Sequence, residues 1–222
     1  MTPAEAERSV ILTYAPQDRR EGLSALLALD DALGRLLATT SEPALGQIRL
    51  QWWREALQRL DTAPPPAEPV LEGLARAVLP TGVTGEDLSE VIAGWDALIE
   101  SETLDEAALA RFAQGRGQTL FRAAACLLSG KSSDPVDAAG QGWALADLAR
   151  HLDREEEAAL TRALAEKHLE EAARHRWSAG RRALGALALL ARRDLSLPRG
   201  AQPPVGSPAR VARLVWHRLS GR

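Results

Sequence analysis

Leucine and alanine recur at helical spacing along almost the whole chain, and no sustained stretch alternates apolar and polar residues as a half-buried strand would. β-Branched residues are sparse, so the pattern predicts an all-α helical bundle. The clearest stripe, Leu23, Leu26, Asp30, Leu33 and Leu37, predicts a helix from about Gln17 to Thr39. Asp30 thereby falls on the apolar face. Ser41-Glu42-Pro43 opens a second helix, with Pro43 suited to its first turn and Glu42 to its positive end. It carries Ile48, Arg49, Trp52, Trp53 and Leu57. Pro64-Pro65-Pro66 lacks the amide donors to continue it and reads as a linker or rigid turn.

Thr84-Gly85-Glu86-Asp87 and Thr103-Leu104-Asp105-Glu106 each place an acid three residues after a threonine, the capping-box spacing, and predict two helix starts. The second helix is expected to run to Ser129 and stop at Gly130 as a left-handed cap. Asp134-Pro135 opens another that reaches at least Arg150. Asp153 to Arg176 predicts an exposed amphipathic helix with a seam at Leu160, Leu164, Ala165, Leu169 and Ala172, and Ser178 to Arg193 a more apolar one. Residues 196–208 read as loop. Residues 209–222 read as a basic amphipathic helix, with Val211, Leu214, Val215, Trp216 and Leu219 among Arg210, Arg213, His217, Arg218 and Arg222. Trp95, Trp143 and Trp177 read as core or rim aromatics, and His168 and His175 as solvent-facing. No internal repeat divides the chain, so residues 1–222 read as one helical domain.

Composition narrows the function classes. With 45% hydrophobic and 26% charged residues the chain is of the ordinary globular kind rather than disordered or collagen-like. Lys+Arg 27 against Asp+Glu 30 leaves a net charge of −3, so no global basic field exists to hold nucleic acid. Cys126 is the single cysteine; it excludes an intrachain disulfide and any CxxC site, points to a reducing compartment, and reads as a buried small apolar group. The acidic start from Met1 to Arg8 lacks the features of a secretory signal. The apolar run from Ala183 to Ala191 is interrupted by Gly185, closed by Arg192-Arg193 and short of the ~20 residues of a membrane span. A cytoplasmic location follows, with peripheral membrane contact left open.

No Gly-rich phosphate loop, HExxH, GxSxG or paired metal-ligand spacing is present. Three constellations remain. Asp30 and Asp31, with Arg49 on the following helix beside Trp52 and Trp53, form either an interhelical salt bridge in a sheltered wall or a catalytic or metal-binding carboxylate pair. Asp147, Arg150, His151 and Arg154 lie about a turn apart, as a solvated face or as an anion-facing row. Asp147 with His151 has i,i+4 metal-pair spacing but no third ligand, so no metal site is expected. The basic C-terminal helix with Trp216 could pack on the bundle or dock on a membrane surface or partner.

The segments Tyr14-Ala15-Pro16 to Asp30 and Glu42-Pro43-Ala44-Leu45-Gly46-Gln47-Ile48-Arg49-Leu50-Gln51-Trp52-Trp53-Arg54-Glu55-Ala56-Leu57 resemble the squalene/phytoene synthase family. The second is similar above all to the branch containing the family's mitochondrial complex I assembly factor. The resemblance is clear over about the first sixty residues and fainter at Gly115 to Gly130 and Gly140 to Arg150. It implies the isoprenoid synthase fold, here with a shortened C-terminal half. It also implies head-to-head condensation of prenyl diphosphates, with Mg²⁺ held by two DxxxD-type motifs. The carry-over fails at those motifs. Gly34-Arg35-Leu36-Leu37-Ala38 stands at the first, and adjacent Asp30 and Asp31 diverge by about 100° around the helix. His151-Leu152-Asp153-Arg154-Glu155 stands at the second, with Asp147 at the family's asparagine and Arg150 at its arginine.

Without both carboxylate clusters the Lewis acid that would stabilise the leaving diphosphate has no holder. The resemblance therefore implies a noncatalytic member acting as an assembly or binding factor, as for respiratory complex I, with no cofactor. One alternative is an active Mg²⁺-dependent prenyltransferase using Asp30, Asp31, Asp147, Asp153 and Glu155. Another is an isoprenoid- or lipid-binding protein with Arg49, Arg150 and Trp53 at its site.

Overall fold

The computed structural model describes residues 3–40, 42–198 and 200–222, and every regular element among them is helical. In chain order these are α1 (Pro3–Leu12), α2 (Arg20–Ala38), α3 (Pro43–Arg59), α4 (Pro69–Ala77), α5 (Gly85–Ser89), α6 (Val91–Glu100), α7 (Glu106–Phe112), α8 (Thr119–Leu127), α9 (Val136–Leu148), α10 (Glu155–Ala173), α11 (Arg182–Leu195) and α12 (Pro208–Ser220). The α2 stripe is buried as its period requires: Leu23, Leu26, Asp30 and Leu33 are all inside, and Leu37 is partly so. Ser41, expected at the start of the next helix, lies outside the described residues, and Pro43 opens α3.

The Thr84 box forms as the spacing predicts. Thr84 Oγ1 accepts from the Asp87 amide at 3.0 Å, and Asp87 Oδ2 accepts from the Thr84 amide at 3.1 Å. Asp61, just past α3, adds its carboxylate to the Gly85 and Glu86 amides at 2.6 and 3.0 Å. Thr84→Ala should cost about 1 kcal/mol, read as a lower urea midpoint at unchanged slope. The second box differs: Asp105, not Thr103, caps α7, accepting from the Ala108 amide at 2.8 Å. A carboxylate one residue before the helix reaches that amide without help from a threonine two residues earlier.

Nor does one continuous helix run to Gly130. The chain widens into a π-helical turn over Ala113–Gln118 and ends as α8 at Leu127. Gly130 does not take the left-handed conformation. It is the absent Cβ that matters there, because a Cβ would lie 2.4 Å from Arg181 Cδ. Arg181 supplies the cap instead, donating to the carbonyls of Ala125 at 2.9 Å and Leu128 at 3.3 Å. The helix expected to reach Arg150 stops at Leu148. Cys126 is exposed rather than buried, on the outer face of α8, and His168 is half-buried, whereas His175 is exposed.

Helix α9 is central, with α10, α11, α8 and the π-helical turn packed around it. Its buried face carries Leu145 and Leu148 but is made mostly of small residues, Ala138, Ala139, Gly140, Gly142, Ala144 and Ala146, which let neighbours approach closely. The π-helical turn in turn contacts α6, and α2 packs on α4 and α8.

The C-terminal helix is held by polar contacts. The Tyr14 hydroxyl donates to the Leu214 carbonyl at 2.8 Å, and the Trp177 amide donates to the Gly221 carbonyl at 2.9 Å. Arg210, read from the sequence as part of a basic amphipathic helix, is buried between Glu7 and Asp194, at 2.9 Å from a carboxylate oxygen of each. His217 is buried too, and its Nε2 must donate, since its partner is the Arg182 carbonyl oxygen at 3.1 Å. Burial pushes the His217 pKa down, against the opposing pull of the Arg182 carbonyl. A pKa depressed in the folded state contributes stability that is present above the unfolded value of about 6.5 and is lost as pH falls through the folded value. Unfolding free energy should therefore decline as pH falls from about 7 to about 5, and His217→Gln should flatten that decline.

Candidate functional site

The interior charge cluster is centred on Arg116, which sequence reasoning did not select. Its Nε donates to Asp30 Oδ1 at 2.7 Å and its Nη2 to Asp30 Oδ2 at 2.8 Å, while Nη1 lies 2.7 Å from Asp147 Oδ2. One guanidinium thus joins α2 to α9. Arg116 and Asp30 are 5% and 4% exposed, so the pair is sealed, whereas 43% of the Asp147 side chain remains exposed. Aromatic rings enclose the cation: Trp95 and Trp143 lie at 4.6 and 4.8 Å and Phe112 at 5.6 Å from it. Burial opposes the charge, but Asp30 and Asp147 outweigh it and hold the Arg116 pKa above its ordinary value.

The backbone explains how the arginine gets there. Gly115 meets Gly94 of α6, where a Cβ on Gly115 would lie 2.2 Å from the Gly94 nitrogen. On the other side Gly117 meets Gly140 of α9, where a Cβ on Gly117 would lie 2.1 Å from the Gly140 oxygen. Two helices therefore clamp the π-helical turn on both sides of Arg116, and the extra residue of that turn directs the side chain inward. The sequence signal was Gly115-Arg116-Gly117 itself, a charge between two helix-weakening residues inside a helical segment.

The expected Asp30–Arg49 pair does not form. Arg49 is exposed and donates to Thr40 Oγ1 at 2.9 Å. Asp31, turned away from Asp30 as adjacency demands, accepts from Arg8 Nη2 of α1 at 2.9 Å. Trp53 is buried and packs edge-on to Trp52 with centroids 5.4 Å apart, while Trp52 stays half-exposed. Nor do Asp147, Arg150, His151 and Arg154 make one row, because α9 ends before the last three. Asp147 turns to Arg116, His151 Nδ1 sits 2.8 Å from the Asp147 carbonyl, and Arg154 pairs with Glu157 at 3.1 Å. Asp153 follows α9 and Glu155 opens α10, where Glu155 lines a different cleft with Thr103, Leu104 and Arg154.

An open cleft of about 560 Å³ lies outside the cluster, with Trp143 and Asp147 in its wall and Arg116 behind them. Arg8, Asp31, Arg35, Arg150 and Arg210 also line it. Arg8 and Arg210 are held by carboxylates, whereas Arg35 and Arg150 have no acidic partner among the described residues. Arg49 and Trp53 line a separate recess with Trp52. Among the described residues no three His, Cys, Asp or Glu side chains are grouped to hold a metal ion. Asp30 has both oxygens engaged by Arg116, so the donor set around it does not fit a divalent cation.

The family model described as squalene/phytoene synthase matches residues 2–222. Among solved structures, a dehydrosqualene synthase crystallised in complex with ligand superposes with a TM-score of 0.74 at 13% identity, covering 96% of this chain and 90% of that one. At that identity the likeness speaks for the fold, a helical isoprenoid-synthase bundle. No curated protein matches the chain.

Proposed function

Because the chain belongs to the squalene/phytoene synthase family, we propose that it is a noncatalytic member, serving as an assembly or binding factor of the kind that supports respiratory complex I. The observation that carries this reading is the Arg116 guanidinium seated between Asp30 and Asp147. A divalent cation offsets diphosphate charge and polarises the leaving group through carboxylate ligands that remain available to it. Here the buried carboxylate is neutralised by the protein's own cation, and its neighbours Asp31 and Asp147 are also paired with arginines.

The test is diphosphate release from farnesyl and geranylgeranyl diphosphate, with Mg²⁺ or Mn²⁺, beside an authentic synthase. The expected result is release at the rate of the protein-free control. Metal-dependent turnover that Asp147→Ala abolishes would establish the prenyltransferase alternative instead. For the assembly role, deletion in the native host should lower complex I level or activity; an unchanged complex I removes that part of the proposal.

The isoprenoid-binding reading has one observation in its favour, the 560 Å³ cleft flanked by Arg35 and Arg150 without acidic partners. Arginine forks suit a diphosphate. Calorimetric titration with a non-hydrolysable farnesyl diphosphate analogue distinguishes it: saturable heat lost in Arg35→Ala with Arg150→Ala supports binding, and no heat removes it.

A further inference from the structure

Helix α12 is packed with its polar side inward. Arg210, Leu214 and His217 face the bundle, while Val211, Val215, Trp216 and Leu219 are 47%, 51%, 58% and 70% exposed. At 100° per residue these four, with exposed Ala212 among them, sweep an arc of about 140° on the outer surface. Arg218 flanks one edge of the arc, Arg213 lies beyond the other, and the helix contains no acidic residue. An outward apolar face of this breadth on a folded protein marks an interaction surface.

Beside it lies a small recess of about 100 Å³ with buried Leu169 and Trp177 in its lining. Arg192 of α11, Arg213 of α12 and Arg222 line its more open parts, no Asp or Glu side chain does, and none of the three arginine side chains has an Asp or Glu partner among the described residues. Three arginines from separate parts of the chain thus converge on one apolar-floored recess next to an apolar ridge. That combination matches an anionic phosphate group with hydrocarbon beneath it.

We infer that α12 is an interfacial helix that lies on an anionic phospholipid surface. Val211, Val215, Trp216 and Leu219 enter the headgroup–acyl boundary, and Arg192, Arg213 and Arg222 hold lipid phosphate. A second copy is the poorer occupant, because an isologous contact would set this basic-edged face against itself. No helix among the described residues is long and apolar enough to cross a bilayer, which leaves contact from the surface. The inference goes beyond the proposed function, and lipid binding and respiratory phenotype are read separately, so each can fail alone.

The experiment is co-sedimentation of the full chain with phosphatidylcholine vesicles, with and without phosphatidylglycerol, at low and high salt. Binding is expected only with the anionic lipid, weakening as salt rises. Trp216→Ser with Leu219→Ser should weaken it about tenfold or more, since both side chains contribute apolar area. Arg192→Gln with Arg213→Gln should remove the preference for anionic lipid. All four side chains are at least partly exposed, so helical circular dichroism and the unfolding midpoint should not change, which separates lost docking from lost folding. Absence of binding to anionic vesicles overturns the inference. So does binding that the Trp216/Leu219 variant retains. A concentration-dependent dimer that this variant abolishes, with no vesicle binding, would assign the face to a second copy and overturn it equally.

Discussion

Arg116→Leu should destabilise the protein by about 3–5 kcal/mol, because it removes the cation bonded to both oxygens of the Asp30 carboxylate, 4% exposed, and leaves it only the more distant field of Arg8. Against a total stability of about 5–15 kcal/mol, that takes the variant close to unfolding at ambient temperature. Urea denaturation followed by circular dichroism measures it. The penalty belongs to the orphaned charge rather than to the lost pair. Asp30→Leu combined with Arg116→Met should therefore recover most of the loss, since apolar replacement of a complete buried pair is often neutral or better. Asp147→Asn should cost far less, its side chain being 43% exposed and able to recruit water. A native-like urea midpoint for Arg116→Leu would refute the placement of Arg116 as the link between α2 and α9.

Gly117→Ala should be strongly damaging as well. Its Cβ would sit 2.1 Å from the Gly140 carbonyl oxygen and 2.6 Å from the carbonyl carbon, and both are backbone atoms that cannot rotate aside. The π-helical turn and α9 would have to separate, pulling Arg116 away from Asp147. Overpacking of this kind costs about 3 kcal/mol or more, or about 10 °C in thermal midpoint for a chain of this size. Gly34→Ala is the control. It adds a Cβ 3.5 Å from Trp95 in the middle of α2, an ordinary contact, and should be neutral or stabilising by a few tenths of a kcal/mol. Equal loss in both variants would show that the Gly117–Gly140 contact is not a tight one.

Much of the architecture was legible because helices report their buried face through local spacing. Leu23, Leu26 and Leu33 announced α2, Pro43 announced the start of α3, and the Thr84–Asp87 box formed as spaced. Errors fell where a nonlocal partner replaced a local one. Gly130 resembled a left-handed cap, but Arg181, fifty-one residues later, satisfies those carbonyls and only needs room to pass. Arg210 and His217 read only as bases of an amphipathic helix whose inner side was left open, and Glu7, Asp194 and the Arg182 carbonyl offset the cost of burying them and leave the apolar side outward.

The candidate site divides along the same line. That Asp30 lies on an apolar face and needs a counterion, and that Asp147 stands near the end of a small-residue helix, follow from periodicity and composition alone. The absence of a DxxxD pair came from setting the chain against the family it resembles, and that resemblance was carried by two segments of the first sixty residues, 14–30 and 42–57. Which cation meets Asp30 was beyond the sequence. Arg49 is nearby in the chain and Arg116 is eighty-six residues away, and helical spacing says nothing about which helices become neighbours. That choice was made by the glycine contacts of Gly115 with Gly94 and Gly117 with Gly140, where two backbones come close enough to force a wider turn and aim Arg116 at both carboxylates. Local pattern sets each helix and the face it must hide, whereas pairing between helices depends on close packing among residues far apart in sequence, which only the assembled tertiary structure decides.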